Sequence, residues 1–282
     1  MKNSRNILIG VICASATFLP IQNFAQQDDG FLIATYKKST VEPAVEIETQ
    51  CQRYLSMIQF GGNYTHVNLK PKGIPGFHGN LGGAQAIYEY RPWNNIYAAV
   101  KGLWRQGHTS GHKATRSLLD INAHQRLGYT FASYCKKYFA TLFTGIGYRY
   151  LGEKLIQNNT SLRTNYNEFY VPVGFLTELK FNQRFSAGLN ATWMPQVNST
   201  VTLLPIGGAQ WILKKKLANV LVELPLNCYM GSMYQYLITL KPFYEFWHDG
   251  ATTAKTVSGV PLGLPGNTYN FWGAELDFGF KF

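Results

Sequence analysis

The sequence predicts an all-β protein: a single transmembrane antiparallel up-and-down β-barrel of about ten strands, with eight or twelve as the neighbouring counts. Three observations predict it. Segments of about ten to fifteen residues alternate apolar and polar positions with period two, separated by turn residues. No apolar run reaches the roughly 20 residues of a membrane-spanning helix. Charged residues make up 15% of the 282 positions and aromatic residues another 15%, whereas soluble globular chains carry about 25% charge. The mean hydropathy of −0.13 does not oppose a membrane protein. A barrel alternates outward apolar with inward polar residues, so its average stays near zero.

The N-terminus reads as an export signal. Lys2 and Arg5 precede the apolar stretch Ile7 to Leu19, and Asn23-Phe24-Ala25 offers a small residue at the cut. A positive n-region, a short apolar core and a small cleavage residue describe a secretory signal peptide. Residues 1–25 are assigned to it. Removing Lys2 and Arg5 from 26 basic residues leaves 24 against 15 acidic, net +9. Residues 26–53 show no sustained period and are assigned to an N-terminal tail on the periplasmic side. Residues 54–282 are assigned to the barrel.

The expected strands are 54–67, 80–91, 95–106, 120–132, 137–150, 166–180, 184–195, 210–229, 235–247 and the last segment, from about 269 to 282. Their connections alternate in length. Pro92-Trp93-Asn94, Ser133 to Lys136, the neighbourhood of Gln183 and Gly231 to Tyr234 are short; 68–79, 107–119, 151–165, 196–209 and 248–268 are long. Barrels have short periplasmic turns and longer external loops, so both termini are expected on the periplasmic side. Lys214-Lys215-Lys216 interrupts the eighth strand and leaves its start open, either at the rim or near Leu217.

Facing follows from the alternation. Ile96, Val100 and Trp104 oppose Lys101 and Arg105. Phe169, Val173, Phe175 and Leu179 oppose Glu168, Tyr170 and Glu178. Phe185, Leu189 and Trp193 oppose Ser186, Asn190 and Thr192. Val220, Val222, Leu224 and Leu226 oppose Glu223, and Ile238, Leu240, Tyr244 and Phe246 oppose Lys241 and Glu245. Trp93, Trp104, Tyr129, Tyr148, Tyr150, Trp193, Tyr244 and Trp272 lie near strand ends, where an interfacial aromatic girdle is expected.

In the last segment Trp272, Ala274, Leu276, Phe278, Phe280 and Phe282 form one apolar face, against Gly273, Glu275, Asp277, Gly279 and Lys281. This segment resembles the C-terminal strand of bacterial outer-membrane β-barrel proteins. The resemblance covers the signal peptide and about 54–282, as a pattern rather than one subfamily. It implies an outer-membrane location, contact with outer-membrane lipid and glycolipid, and an assembly signal at Phe278, Phe280 and Phe282 read by the barrel-assembly machinery.

The inward charges expected are Glu89, Lys101, Arg105, Arg126, Arg149, Glu168, Glu178, Glu223, Lys241, Glu245, Glu275, Asp277 and Lys281, seven acids and six bases. A barrel near eight strands is filled by its side chains, and one of sixteen or more leaves a channel. Buried charges must pair or keep water. A balanced polar network is therefore expected to fill the lumen, with a narrow ion path as the alternative. Lys70, Lys72, His108, His112, Lys113, Arg116, Lys154, Arg163 and Lys214 to Lys216 are expected on external loops and rims. Phosphates of outer-leaflet glycolipid are a natural counter-charge there. Nucleic acid is not expected as a partner, because the chain is exported and carries no recognition motif.

Catalytic, cofactor and metal sites are not expected. The omptin proteases are the comparison for an enzyme: barrels that use Asp pairs and an Asp–His pair at the external rim. Here His248-Asp249 and His66 lie near that rim, but Asp28-Asp29 lies in the tail. Adjacent strand residues also point to opposite faces, which separates His248 from Asp249. His108 and His112 are weak metal candidates. A nineteen-strand mitochondrial porin conflicts with the signal peptide, and a soluble exported β-sandwich would not require the loop alternation or the aromatic terminus. Cys51, Cys135 and Cys228 all fall at the periplasmic end, where oxidation is permitted. An odd count implies a free or intermolecular thiol. Disulfides to other envelope proteins are one reading, as in the cysteine-linked outer membranes of chlamydia-like bacteria; three unpaired thiols are the other. The function expected is a non-enzymatic surface protein that presents loops for ligand or host contact and supports the envelope. A narrow porin-like channel is the alternative, and a rim hydrolase of omptin type is a third reading.

Overall fold

A computed structural model describes residues 56–73, 75–111, 114–133, 137–157, 160–204, 210–256 and 263–282. The signal peptide, the tail, Cys51 and Cys135 lie outside the described residues.

Sixteen strand segments form one closed antiparallel sheet. They are β1 (Ser56–Pro71), β2 (Phe77–Tyr90), β3 (Asn95–Gly111), β4 (Ala114–Ala132), β5 (Tyr138–Gln157), β6 (Thr160–Tyr170), β7 (Val173–Lys180), β8 (Phe185–Ala187), β9 (Asn190–Trp193), β10 (Gln196–Leu204), β11 (Gln210–Leu213), β12 (Val220–Glu223), β13 (Leu226–Met230), β14 (Tyr236–Asp249), β15 (Thr252–Thr256) and β16 (Asn267–Lys281). Pairing groups them into ten staves. β1 to β5 are one stave each. β6 with β7, β8 with β9 and β10, β11 with β12 and β13, and β14 with β15 make the sixth to ninth, and β16 the tenth. β16 pairs with β1 over its whole length, from Met57 with Lys281 to Pro71 with Asn267. Reciprocal bonds between Ser56 and Phe282, 3.1 and 3.0 Å, complete the seam. Closure pairs the first stave with the last, so the wall leaves no open sheet edge there, which a strand in lipid requires.

Prolines break the sixth to eighth staves into pieces. Pro172, Pro195 and Pro225 each lack the N–H that a ladder needs. Bridging bonds carry the wall across: Val171 N–H to Pro195 C=O, 3.1 Å, and Gly188 N–H to Pro225 C=O, 2.9 Å. The run 210–229 is likewise discontinuous, with β11 and β12 separated at the three lysines.

The expected long connections all shorten. The segments 107–119 and 151–165 are not loops, 196–209 is strand β10 as far as Leu204, β1 and β2 reach into 68–79, and β15 and the start of β16 occupy part of 248–268. β4 has 19 residues and β5 has 20, well beyond the roughly 9–11 that cross a bilayer. The supposed loops are the arms of long hairpins, paired as far as Gly111 with Ala114 and Gln157 with Thr160. Turns at the opposite end, which also carries Ser56 and Phe282, are held by local chemistry. Asn94 takes φ 47°, and its Oδ1 accepts the Ala132 N–H at 2.9 Å. Asn182 Oδ1 accepts both the Arg184 and Phe185 N–H groups at 2.8 Å.

The outer wall has two zones. Toward the termini it is apolar: Phe60, Val100, Leu127, Leu142, Ile146, Phe175, Leu189, Leu240 and Leu276 are all exposed. Tyr64, Trp104, Trp193, Tyr244 and Trp272 edge this band on one side, and Tyr88, Tyr129, Tyr138, Tyr236, Phe280 and Phe282 on the other. Within it Ile121 to Phe131 and Trp272 to Phe282 cover eleven residues each, and Tyr236 to Tyr244 covers nine, the length of a bilayer-crossing strand. Trp93 is not part of the edge. It packs 6.0 Å from the buried Phe139 ring and lines the mouth at the termini end.

Beyond the Trp104–Trp272 edge the outward residues turn mostly polar: Lys70, His78, His108, Lys154 and Arg163 are exposed, with Ile156, Leu204 and Ile212 among them. The interior turns apolar at the same height. Leu69, Phe77, Leu81, Leu118, Leu151, Tyr166, Val201, Trp211, Trp247 and Phe271 fill it as one buried cluster. The staves thus invert their polarity: apolar out and charged in where lipid is the outer solvent, polar out and apolar in where water is. In β3, β4 and β5 the strand alternation runs on without a register change, whereas β10 shifts register at Gln196/Asn198 against β6 and β11 at Trp211/Leu213 against β15.

Candidate functional site

The expected lumen residues Lys101, Arg105, Arg126, Arg149, Glu178, Glu223, Lys241, Glu245, Glu275 and Asp277 are all buried and lie on the inward face. They are sorted into layers, because inward residues two apart on a stave stand at successive heights.

Directly under the apolar cluster is a square of two arginines and two carboxylates. Arg105 Nε donates to Asp120 Oδ2 at 2.7 Å and its Nη2 to Glu245 Oε2 at 2.6 Å. Arg149 Nη2 donates to Asp120 Oδ2 at 2.8 Å and its Nη1 to Glu245 Oε1 at 2.7 Å. The guanidinium planes lie against aromatic faces, Arg105 4.0 Å from the Phe271 centroid and Arg149 4.4 Å from that of Trp247. Bidentate geometry, neutral total charge and an aromatic lid are what burial of four charges requires.

A second layer lies nearer the termini. Lys101 Nζ stands 3.0 Å from Glu223 and 3.5 Å from Glu275. Lys241 Nζ stands 2.7 Å from Glu275 and 3.3 Å from Asp277. Gln85 Nε2 donates to both Glu275 and Asp277 at 2.7 Å. Between the layers Tyr170 donates to Asn122 Oδ1 at 2.6 Å, and His124 Nδ1 lies 3.1 Å from the same hydroxyl. A void of about 20 Å³ beside Lys101, Arg105, His124 and Glu245 has room for about one water.

The third layer is the mouth. Arg91 pairs with Glu89 at 3.1 Å and with Glu178, and Tyr229 donates to Glu178 Oε1 at 2.6 Å. A cavity of about 150 Å³ opens here. Arg126 stacks on Phe143 at 4.7 Å and, among the described residues, joins no ion pair.

Several interior groups escaped the sequence reading. Asp120, Gln85 and Arg91 sit at strand edges or carry no apolar neighbour pattern of their own. Arg116 and Glu153 were expected in loops. They are inward and pair at 3.1 Å, with Arg116 over the Phe77 ring at 4.3 Å. Arg116 therefore does not belong to the exposed basic surface. The signal that could have found them is the unbroken period of two through 114–132 and 138–157.

The residues considered for a rim hydrolase are not gathered. Asp249 is fully buried and accepts from Trp247 Nε1 at 2.9 Å, while His248 lies on the opposite, outward side of its strand. His66 is outside the wall, 2.9 Å from Asn80 Oδ1 and 4.9 Å from the Trp272 ring. His108 is exposed on the outer wall, and His112 and Lys113 lie outside the described residues. No group of three or more metal-ligating side chains occurs among the described residues. Cys228 is a free, half-buried thiol. It pairs in register with Ile238 and Phe185, on the outward side of the wall.

No protein-family model matches the chain, and no curated protein matches it. Solved structures do. The outer membrane protease OmpT of Escherichia coli superposes with a TM-score of 0.51 at 9% identity, over 82% of this chain and 97% of that one. The translocator domain of the autotransporter NalP from Neisseria meningitidis gives 0.42 at 8% identity, over 85% and 93%. Ail, the attachment invasion locus protein of Yersinia pestis, gives 0.36 at 8%, over 80% and 99%. At these identities the likeness to OmpT concerns the fold alone: this chain has the fold of a bacterial outer-membrane β-barrel.

Proposed function

We propose that this protein is a closed outer-membrane barrel whose work is done at its surface. It spans the outer membrane with its termini in the periplasm, and it carries a rigid, water-facing extension on the external side. The extension presents the basic residues Lys70, His108, Lys154, Arg163, Lys214 and Lys215 to glycolipid phosphate or to a host surface. One observation carries the reading. The Arg105–Asp120–Arg149–Glu245 square and the apolar cluster above it occupy the lumen where a solute path would run. Separating those charges would leave each buried and uncompensated, at about 3–5 kcal/mol for a broken pair, so spontaneous opening is rare. The protein is non-enzymatic in this reading, in which His248 and Asp249 point to opposite sides of their strand and do not share one water.

Planar-bilayer recording tests it. The purified barrel is expected to insert without regular conductance steps in potassium chloride. Uniform steps from the unmodified chain would overturn the closed reading in favour of a narrow channel.

A further inference from the structure

We propose that the outer wall at β4 is a face on which two copies of this chain pair side by side in the membrane, with the Gln125 amides of the two copies hydrogen-bonded to each other across a two-fold axis. The inference rests on the barrel standing in lipid and goes beyond the surface role described above.

A polar side chain in the apolar band points there. Gln125 faces outward and is exposed. Val100 and Ile146 stand directly opposite it on the two neighbouring staves, and Leu127 follows it on its own face; all three are exposed and apolar. Between the two aromatic edges no other outward amide or charge occurs among the described residues. No hydrogen bond reaches the Gln125 side chain among those residues; the outward Thr144 hydroxyl, its diagonal neighbour, is not bonded to it. Its height closes the way to water. On β4 the band runs from Ile121 to Phe131, so Gln125 lies four residues from one edge and six from the other. Four residues of strand measure about 13 Å, beyond the reach of the side chain. The amide therefore brings two donors and an acceptor into hydrocarbon with nothing to meet them.

A second copy of the chain meets them, because an amide complements itself. Across a two-fold axis each Nε2 donates to the other Oε1, so one contact satisfies both copies, and isologous pairing of this kind closes on itself. Lipid tails offer no such partner. The wall beside the amide also lets another wall come close. Ala123, Gly102 and Ala86 stand opposite one another across β4, β3 and β2, and a Cβ built at Gly102 meets nothing within 4 Å. Sheets packed face to face lie about 10 Å apart, a gap that two Gln side chains span, and the low row receives larger side chains from the facing wall. Charge does not oppose the approach along this stave: the outward residues of β4, at the odd positions from Thr115 to Phe131, are all uncharged.

Sedimentation equilibrium of the full chain, refolded in a neutrally buoyant detergent, tests the pairing. A reversible monomer–dimer equilibrium is expected, with heat-modifiability on a gel showing that the barrel is folded. Gln125→Leu removes both amide hydrogen bonds of the pair and should raise the dimer dissociation constant at least about tenfold, while refolding stays as efficient as before because an apolar side chain suits lipid. Leu240→Ala, on the ninth stave and far from Gln125, should leave the constant unchanged. Should Gln125→Leu fail to refold, Ala123→Phe, which raises the wall beside the amide, must weaken the dimer by a similar factor. A folded native chain that stays monomeric would overturn the proposal and leave Gln125 to a different membrane partner. An unchanged constant in whichever variant folds, or equal weakening by Leu240→Ala, would overturn it as well. A chain that is not heat-modifiable would instead count against the barrel reading itself.

Discussion

Arg149, on the fifth stave, and Glu245, on the ninth, meet at 2.7 Å across the lumen. Three staves separate them on one side of a wall of ten and five on the other, so the contact ties nearly opposite sides of the barrel. Asp120 on the fourth stave and Arg105 on the third complete the tie. A barrel so braced behaves as a packed core. Glu245→Gln should therefore cost about 3–5 kcal/mol, by leaving Arg149 and Arg105 short of a counter-charge. The shape-matched double variant Arg149→Met/Glu245→Leu should recover much of the loss. The measurement is denaturant unfolding followed on a gel, where unheated and boiled samples of a closed barrel migrate differently. A double variant no better than the single one would mean that the pair adds more than it costs.

The outer wall offers a cleaner comparison. Leu189 and Val173 are exposed within the apolar band, whereas Asn190 donates to Glu223 at 3.4 Å from inside. Leu189→Arg and Val173→Arg should each cost about 2–4 kcal/mol near the bilayer midplane. Asn190→Arg places its charge beside Glu223 and should cost less. Refolding titrations into lipid vesicles would show it, and a larger loss for Asn190→Arg would invert the assignment of faces.

Gly147 stands opposite Tyr170 in the β5–β6 ladder. A Cβ built at Gly147 falls within the Tyr170 ring. That ring is pinned by its bonds to Asn122 and His124 and by edge contact with Trp247 at 5.5 Å. Gly147→Ala should then destabilise by about 1–3 kcal/mol, as overpacking does. Pairing it with Tyr170→Phe tests the anchoring: loss of the hydroxyl frees the ring to shift, and the two effects should be less than additive in unfolding experiments.

Phe282 stacks on Phe280 at 6.2 Å and lies near Tyr88 at 6.5 Å, while its backbone closes the seam with Ser56. Its side chain is exposed, so truncation should remove at most a few kcal/mol of apolar contact with lipid. If the terminal aromatic is the assembly signal, Phe282→Ala should nonetheless reduce the amount of barrel in isolated outer membranes several-fold while refolding in detergent stays near normal. Equal losses in both assays would make the residue structural only.

Orientation can be read by labelling. Lys154→Cys on the extension should react with a membrane-impermeant maleimide on intact cells, above the background of the native thiols. Gln183→Cys, in a turn at the termini end, should react only after lysis. The reverse pattern would place the basic extension in the periplasm.

Facing was legible in the sequence because a strand's side-chain period is two, so one apolar residue assigns its neighbours. The wall positions of Leu189, Val100 and Leu276, and the lumen positions of Lys101, Arg149 and Glu275, follow from that alone. The stave count followed from where the turns fall, with Asn94 and Asn182 supplying local chemistry that needs no distant partner. What the alternation could not convey is height. Arg116 and Glu153 lie in segments whose outward residues are polar, so those segments read as loops, although their period of two never stops. Only the closed sheet shows that their inward neighbours pack as an apolar core and that the polarity inverts where lipid gives way to water. Partnership was beyond the sequence for the same reason. Arg149 finds Glu245 because closure brings the fifth and ninth staves to facing sides of one lumen. Those are facts of shear and circumference, which no stretch of chain carries by itself.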